Sequence, residues 1–292
     1  MKALYDVPAP AKLNLFLHII GRRADGYHLL QSVFVPIDWC DLLHFERRAD
    51  AIITRHDLGA ALPADDLCLR AARALQTASG TSLGADISIQ KNVPWGAGMG
   101  GGSSDAASTL LALNRLWGLH WPRARLTALG ATLGADVPFF LGDGPAWVEG
   151  IGEQLTPLQL ASERFFVVKP AASLPTKEIF GSPLLARDTR PAIVMDFLAQ
   201  QNGFGKNDMQ AAAQALCAQV AEAAKLLHSR FGNSRMTGSG SAVFARLDAR
   251  HVIDGNGVPK DLNFSDLQLP EGWIGRQCRS LESHPLKGWA TD

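Results

Sequence analysis

The stretch Pro94-Trp95-Gly96-Ala97-Gly98-Met99-Gly100-Gly101-Gly102-Ser103-Ser104 decides how this chain is read. Five of the seven residues from Gly96 to Gly102 are glycines. They stand between an alternating segment, Ala85 to Lys91, and an amphipathic one, Asp105 to Leu116. The first predicts a strand. The second predicts a helix, with Ala106, Leu110, Leu113 and Trp117 at helical spacing and Gly118 as its cap. Glycines remove the Cβ atoms that would hold a phosphate away from the backbone. The helix start offers unpaired N–H groups and the positive end of its dipole, and Ser103 and Ser104 can cap the helix or bond a phosphate oxygen. A flexible linker seldom lies between two such elements, whereas a phosphate-binding loop requires them.

Common nucleotide motifs do not account for this loop. Gly96-x-Gly98-x-x-Gly101 fits the dinucleotide pattern, yet no Asp or Glu occurs from Ala106 to Ala135 to hold a ribose. A Walker loop needs a lysine that is missing, and neither His-Arg-Asp nor Asp-Phe-Gly occurs to suggest a protein kinase.

Working outward, Lys12 to Ile20 alternates as a strand that carries Lys12 and Asn14 on one side. Asp25-Gly26 signals a hairpin whose return strand is Leu29 to Ile37. Asp65 to Ala78 and Pro122 to Leu133 read as helices, the second running into Gly134-Ala135-Asp136-Val137-Pro138. The pattern restarts after Thr156-Pro157. Phe165 to Lys169 reads as a strand, Asn207 to Ser229 as one long helix, and Arg235 to Arg246 as a strand interrupted by Gly238-Ser239-Gly240-Ser241. This predicts an α+β protein of two domains, residues 1–156 and 157–292.

The 292 residues hold 28 Lys plus Arg against 28 Asp plus Glu, so no overall basic footprint points to nucleic acid. Cys40, Cys68, Cys217 and Cys278 form no CxxC pair, no signal-peptide core opens the chain, and no apolar run reaches membrane-spanning length. A cytoplasmic protein without membrane or nucleic-acid partners is expected.

Read singly, other residues leave alternatives open. Asp136, before an apolar run, suits either a desolvated proton acceptor kept ionised by a cation or a cap before proline. Lys12 alone suits a solvated strand face. The glycines at 238 and 240 suit either a hairpin turn or a close backbone approach. Tyr27, His28 and Phe180 would pass as ordinary core or surface residues.

Taken together, the segments resemble the GHMP kinases, whose three motifs occur here in order. These are Ala9-Pro10-Ala11-Lys12-Leu13-Asn14-Leu15-Phe16-Leu17, the loop Pro94 to Ser104, and the turn Gly238 to Ser241. Arg23-Ala24-Asp25-Gly26-Tyr27-His28, Gly134 to Pro138 and Pro175-Thr176-Lys177-Glu178-Ile179-Phe180 narrow the resemblance to the branch whose acceptor carries cytidine diphosphate. The resemblance implies a two-domain kinase with its active site in the interdomain cleft, using ATP and Mg²⁺ as a monomer or weak homodimer. It assigns catalysis to Lys12 and Asp136. ATP falls to Pro94, Trp95, Gly96, Ala97, Gly98, Met99, Gly100, Gly101, Gly102, Ser103 and Ser104. The acceptor falls to Asn14, Tyr27, His28, Thr176 and Phe180, and no residue is singled out as a metal ligand. Asp66 stands where the resemblance implies an Asn near the adenine, Trp95 and Ala97 vary the loop, and the Asp105 side chain is expected to point away from phosphate. A mevalonate-type kinase would call for cations in place of Tyr27 and Phe180. A non-catalytic nucleotide-binding module would have no use for both Lys12 and Asp136.

Overall fold

The computed structural model describes residues 1–248 and 267–292; the polar stretch 251–266, whose sequence predicts no element, lies outside the described residues. Strands β1 (Ala3–Arg22) and β2 (His28–Arg48) form a long antiparallel hairpin. Its turn is the expected Asp25-Gly26, with Gly26 at φ 92°. The other edge of β2 takes β4 (Gly84–Gln90) along Leu42–Arg48 and β5 (Ala146–Glu149) at Ser32–Phe34. β3 (Ile53–Asp57) lies parallel to β4, and β6 (Gln154–Pro157) borders β5. Helices α1 (Leu67–Ser79), α2 (Gly101–Leu116), α3 (Arg123–Ala131) and α4 (Val137–Leu141) join this sheet in one apolar core, where Leu110, Leu113 and Phe139 meet Leu43, Phe45 and Ile87.

A second antiparallel sheet centres on β7 (Arg164–Lys169) and β9 (Val243–Leu247), with β10 (Ile274–Arg279) beside β7 and β8 (Arg235–Met236) beside β9. The strand interruption at residues 238–241 is therefore the turn between β8 and β9. Two short helices, α5 (Thr176–Gly181) and α6 (Val194–Ala199), follow β7.

β1 ties the halves together. Leu13, Leu15 and Phe16 share a core with Phe165, Val167 and Phe244, while Leu17 and Ile19 pack with Phe166 and Val168. Residues 9–19 are consequently buried on both faces. Register shifts between Pro10 and Lys12 and between Asn14 and Leu17 break the simple alternation, as bulges do.

The long helix expected over 207–229 is two helices, α7 (Gln210–Leu216) and α8 (Ala218–Phe231). Cys217 is extended between them, at φ −145° and ψ 105°. Ala213, Val220, Ala224, Leu227 and Phe231 keep helical spacing across the break, so periodicity does not report it. The helix also starts late, because Asn207 and Asp208 serve the edge of β1. Leu17 N donates to Lys206 O at 2.9 Å, Asp208 N to Leu17 O at 2.8 Å, and Ile19 N to the Asp208 carboxylate at 2.7 Å.

The chain's end returns to the first core, where Leu286, Trp289 and Ala290 pack. Arg123 fastens it: its N–H donates to Thr291 O, its guanidinium pairs with Asp143 and Asp292, and it also bonds the Leu141 carbonyl at the end of α4. His284 sits in this join as a hydrogen-bond acceptor, taking Leu286 N on Nδ1 at 3.1 Å. Burial, with Arg123 nearby, pushes its pKa down to about 4. A histidine kept neutral by the fold contributes stability that is present above its unfolded value and is lost as pH falls from about 6.5 toward 4. The melting temperature should therefore drop across that window. His284→Asn, which keeps an acceptor without a proton site, should flatten that drop by removing about 3 kcal/mol of the acid-end loss of stability.

Candidate active site

The glycine loop begins where β4 ends. Its last residues are helical, since α2 starts at Gly101, four residues earlier than the reading from Asp105. Gly100 precedes it at φ 71°. The first-turn N–H groups of the helix therefore belong to the glycine loop itself, and no side chain caps them. Leu67, Lys91, Trp95, Gly98, Gly102 and Ser103 are among the residues lining a cavity of about 260 Å³ over this turn.

Two backbones meet at the loop's centre. Ser241 N donates to Gly96 O and Ala242 N to Ala97 O, both at 3.2 Å. A Cβ on Gly98 would lie 2.3 Å from Thr237 O. The close approach read from the glycines at 238 and 240 is thus made to the phosphate loop. Gly102 differs: a Cβ there would meet only a Leu67 methyl, at 3.8 Å.

Lys12 lies on the other side of the loop. The β1 bulge frees its N–H to donate to Met99 O at 2.9 Å. Its ammonium, 3% exposed as a residue, donates to Asn14 Oδ1 at 2.5 Å and lies 4.3 Å from the centroid of Phe34. The Asp136 carboxylate stands 3.8 Å away. Burial pulls the pKa of Lys12 down and the Asp136 charge works against that pull. Asn14 is itself held, with Nδ2 donating to Ser32 Oγ at 3.0 Å and Oδ1 accepting from Thr237 Oγ1 at 3.2 Å.

Asp136 is less enclosed than the apolar run after it suggests. It is the residue before α4, whose Val137, Pro138, Phe139 and Phe140 are buried beneath it, but its own side chain is 32% exposed. The carboxylate at this corner is open to a small molecule, and Lys12 is behind it. Ser103 Oγ approaches the same corner from the loop, 3.9 Å from where a Gly134 Cβ would stand.

The acceptor-side residues are only partly brought together. Thr176 Oγ1 lies 2.8 Å from Ser239 Oγ on the C-terminal turn. Phe180 stacks on His28, with centroids 4.7 Å apart and planes at 17°, whereas Tyr27 is 60% exposed. The His28 Nε2 atom is buried without a partner. Burial, then Arg187 and Arg22, lower its pKa. Asp66 caps α1, accepting from Leu69 N at 2.9 Å, and pairs with Arg55 at 3.0 Å. Asp105 turns inward onto Lys91, and burial together with Asp41 pushes its pKa up to about 8 against the pull of Lys91. Phe34, Ser32, Thr237, Asp41 and Lys91 are not picked out by the sequence. Each acts across a long separation, and none carries a local motif.

A family model described as the GHMP kinases N terminal domain matches residues 66–144. The 4-diphosphocytidyl-2-C-methyl-D-erythritol kinase of Methylibium petroleiphilum is 63% identical over 290 residues, 99% of either chain. That of Paracidovorax citrulli is 56% identical over 296 residues, covering 100% of this chain and 99% of the other. A crystal structure of a 4-(cytidine 5'-diphospho)-2C-methyl-D-erythritol kinase superposes with a TM-score of 0.76 at 32% identity, over 93% of this chain and 98% of that one. The Methanococcus jannaschii mevalonate kinase shares the fold, with a TM-score of 0.67 at 15% identity over 96% and 98% of the two chains. The chain belongs to the GHMP kinases and, within them, to the 4-diphosphocytidyl-2-C-methyl-D-erythritol kinases.

The two glycines should separate fold from ligand. Gly98→Ala forces a methyl against the Thr237 carbonyl in a left-handed conformation and should lower both the melting temperature, by about 4 °C or more, and ATP affinity. Gly102→Val should leave melting within about 2 °C while weakening ATP by about tenfold or more, because its side chain fills the cavity and little else. Calorimetric titration beside thermal denaturation checks both.

Proposed function

We propose that this protein transfers the γ-phosphoryl group of ATP to the 2-hydroxyl of 4-diphosphocytidyl-2-C-methyl-D-erythritol, in the non-mevalonate route to isoprenoid precursors. The carrying observation is the Lys12–Asp136 pair, 3.8 Å apart, beside the glycine turn that opens α2. The full-length relatives supply the acceptor's identity. Residues 1–156 carry the nucleotide loop, residues 157–292 carry Thr176 and Phe180, and the cleft between them is the reaction chamber.

Phosphoryl transfer depends on position and charge compensation. In this reading the first-turn N–H groups of α2 hold the phosphates, and Pro94 to Ser104 line their approach. Asp136 accepts the proton of the attacking hydroxyl. Lys12 keeps that carboxylate ionised and offsets charge on the transferring group. Asn14, bonded to Lys12, fixes the ammonium and faces the sugar alcohol with Thr176. Bound with ATP, Mg²⁺ would neutralise phosphate charge. The Ser103 hydroxyl and the half-open Asp136 carboxylate are the oxygens that fit it, alongside water and phosphate ligands.

The cytosine ring takes the face of Phe180 that the His28 imidazole now covers, with Tyr27 free to close on its far side. The unpartnered His28 nitrogen then meets the base edge. Arg22 and Arg187, whose charges depress His28, make this mouth suitable for a diphosphate. The protein works in the cytoplasm as a monomer or weak homodimer. Among the described residues no helix is long and apolar enough to cross a membrane, and all four cysteines are free.

Asp136→Asn should cut turnover by about a hundredfold or more with ATP binding little changed, the lower range for losing a general base. Near-normal turnover would remove Asp136 from that role. Phe180→Ala should raise the acceptor KM by roughly ten- to a hundredfold, the value of one stacking contact, and leave the ATP KM alone. Cytidine diphosphate should compete with the acceptor in the unaltered enzyme and much less in Phe180→Ala. No competition at millimolar cytidine diphosphate would overturn the cytidyl assignment.

A further inference from the structure

Behind the glycine loop lies a buried Asp–Lys–Asp cluster to which the transfer mechanism gives no part. Asp41 on β2 is fully buried and Asp105 on α2 is 3% exposed. The ammonium of Lys91, at the end of β4, bridges them, bonding the Asp41 carboxylate and Asp105 Oδ2, the latter at 2.6 Å. The second oxygen of Asp41 accepts two main-chain donors at the loop's entry, Asn92 N at 2.6 Å and Val93 N at 2.8 Å. Asn92 is held further by Trp39 Nε1, which donates to its carbonyl, and by its own amide, which donates to Cys40 O. The triad lies directly under the loop's exit. A Cβ on Gly101, the first residue of α2, would be 3.5 Å from both the Asp41 carboxylate and the Lys91 ammonium.

Both ends of the segment 94–100 are therefore fastened to one buried hydrogen-bonded cluster. The need for such a fastening is physical. Gly96, Gly98 and Gly100 all have φ between 61° and 71°, and glycines lose more conformational freedom on ordering than other residues. A loop ordered only when phosphate arrives would spend binding energy on that ordering, whereas one already held does not. Lys91 differs from a Walker lysine in that its ammonium is already committed to two carboxylates.

We propose that Asp41 and Asp105, bridged by Lys91, form a positioning strut that clamps the entry and exit of the phosphate loop and sets ATP affinity from carboxylates buried beneath the cavity. The inference rests on the nucleotide reading of the loop. Asp105→Ala removes the exit clamp and leaves Asp41 paired with Lys91, so the fold persists; Lys91→Met removes the bridge between the two carboxylates while Asp41 keeps its bonds from Asn92 N and Val93 N, and is the harsher variant. Titration with a non-hydrolysable ATP analogue should show about tenfold weaker binding for Asp105→Ala, while the acceptor KM stays within about twofold and turnover at saturating ATP within about threefold. Amide hydrogen exchange should quicken at 94–104 and not in α8. Asp105→Asn, which still accepts from Lys91, should restore analogue binding to within about twofold. Unchanged analogue binding in Asp105→Ala, a parallel rise in the acceptor KM, or failure of Asp105→Asn to rescue would each overturn the strut. Absence of analogue binding by the unaltered protein would instead overturn the nucleotide reading, and the strut with it.

Discussion

One ammonium group inside the protein organises the rest. Taking the charge of Lys12 out of water costs several kcal/mol unless partners replace the lost hydration. The chain supplies them from distant places: Asn14 from the same strand, the face of Phe34 from β2, and the carboxylate of Asp136 from the start of α4. Phe34 and Asp136 meet it because β1 is buried on both faces. The strand is paired to β2 along one edge, bound by residues 206–208 along the other, and covered by the second sheet. Burial of Lys12 and the joining of the two halves are one structural event.

The same strand governs the nucleotide loop. Its bulge turns Lys12 N onto Met99 O, while Thr237 bonds both Asn14 and the Gly98 carbonyl. The loop is thus gripped between β1 and the turn that follows β8. Glycine at 98 and 238 is a packing requirement there, because each Cβ would strike the other segment's backbone. A loop usually treated as a soft phosphate cradle is in this protein a rigid joint between the halves, and only around Gly102 does it open on space for a ligand. Chemistry placed at such a joint inherits its precision from packing and needs few dedicated ligands.

Much of this is legible in the sequence, for reasons that can be named. The strand, glycines and helix around residue 98 are local signals, and so are the Asp25-Gly26 turn and the proline-led helices. Lys12 and Asn14 fall on one side because strand periodicity survives from 12 to 14, and the hydrogen bond between them follows. What stays hidden is long-range or masked by continuous patterning. Alanine spacing runs through Cys217 and conceals the break between α7 and α8. The apolar run after Asp136 suggests a desolvated carboxylate, yet a residue at a helix start can face water while its successors are buried. The stacking of His28 on Phe180 joins residues 152 positions apart and leaves no local trace. Asp66, an acid where an amide is expected, is explained by Arg55, which pairs with it across the start of α1.

The most direct test is steady-state kinetics of Lys12→Met against both substrates, with circular dichroism to establish that the fold persists. Methionine fills the same buried volume without a charge, and the Asp136 carboxylate it leaves unpaired is 32% exposed, so water can take over its solvation. The expected result is turnover reduced by about a hundredfold or more, with the KM for ATP and for the cytidyl acceptor each within about threefold of the unaltered enzyme. A folded Lys12→Met protein that keeps turnover within a few-fold would contradict the central place of that one buried charge.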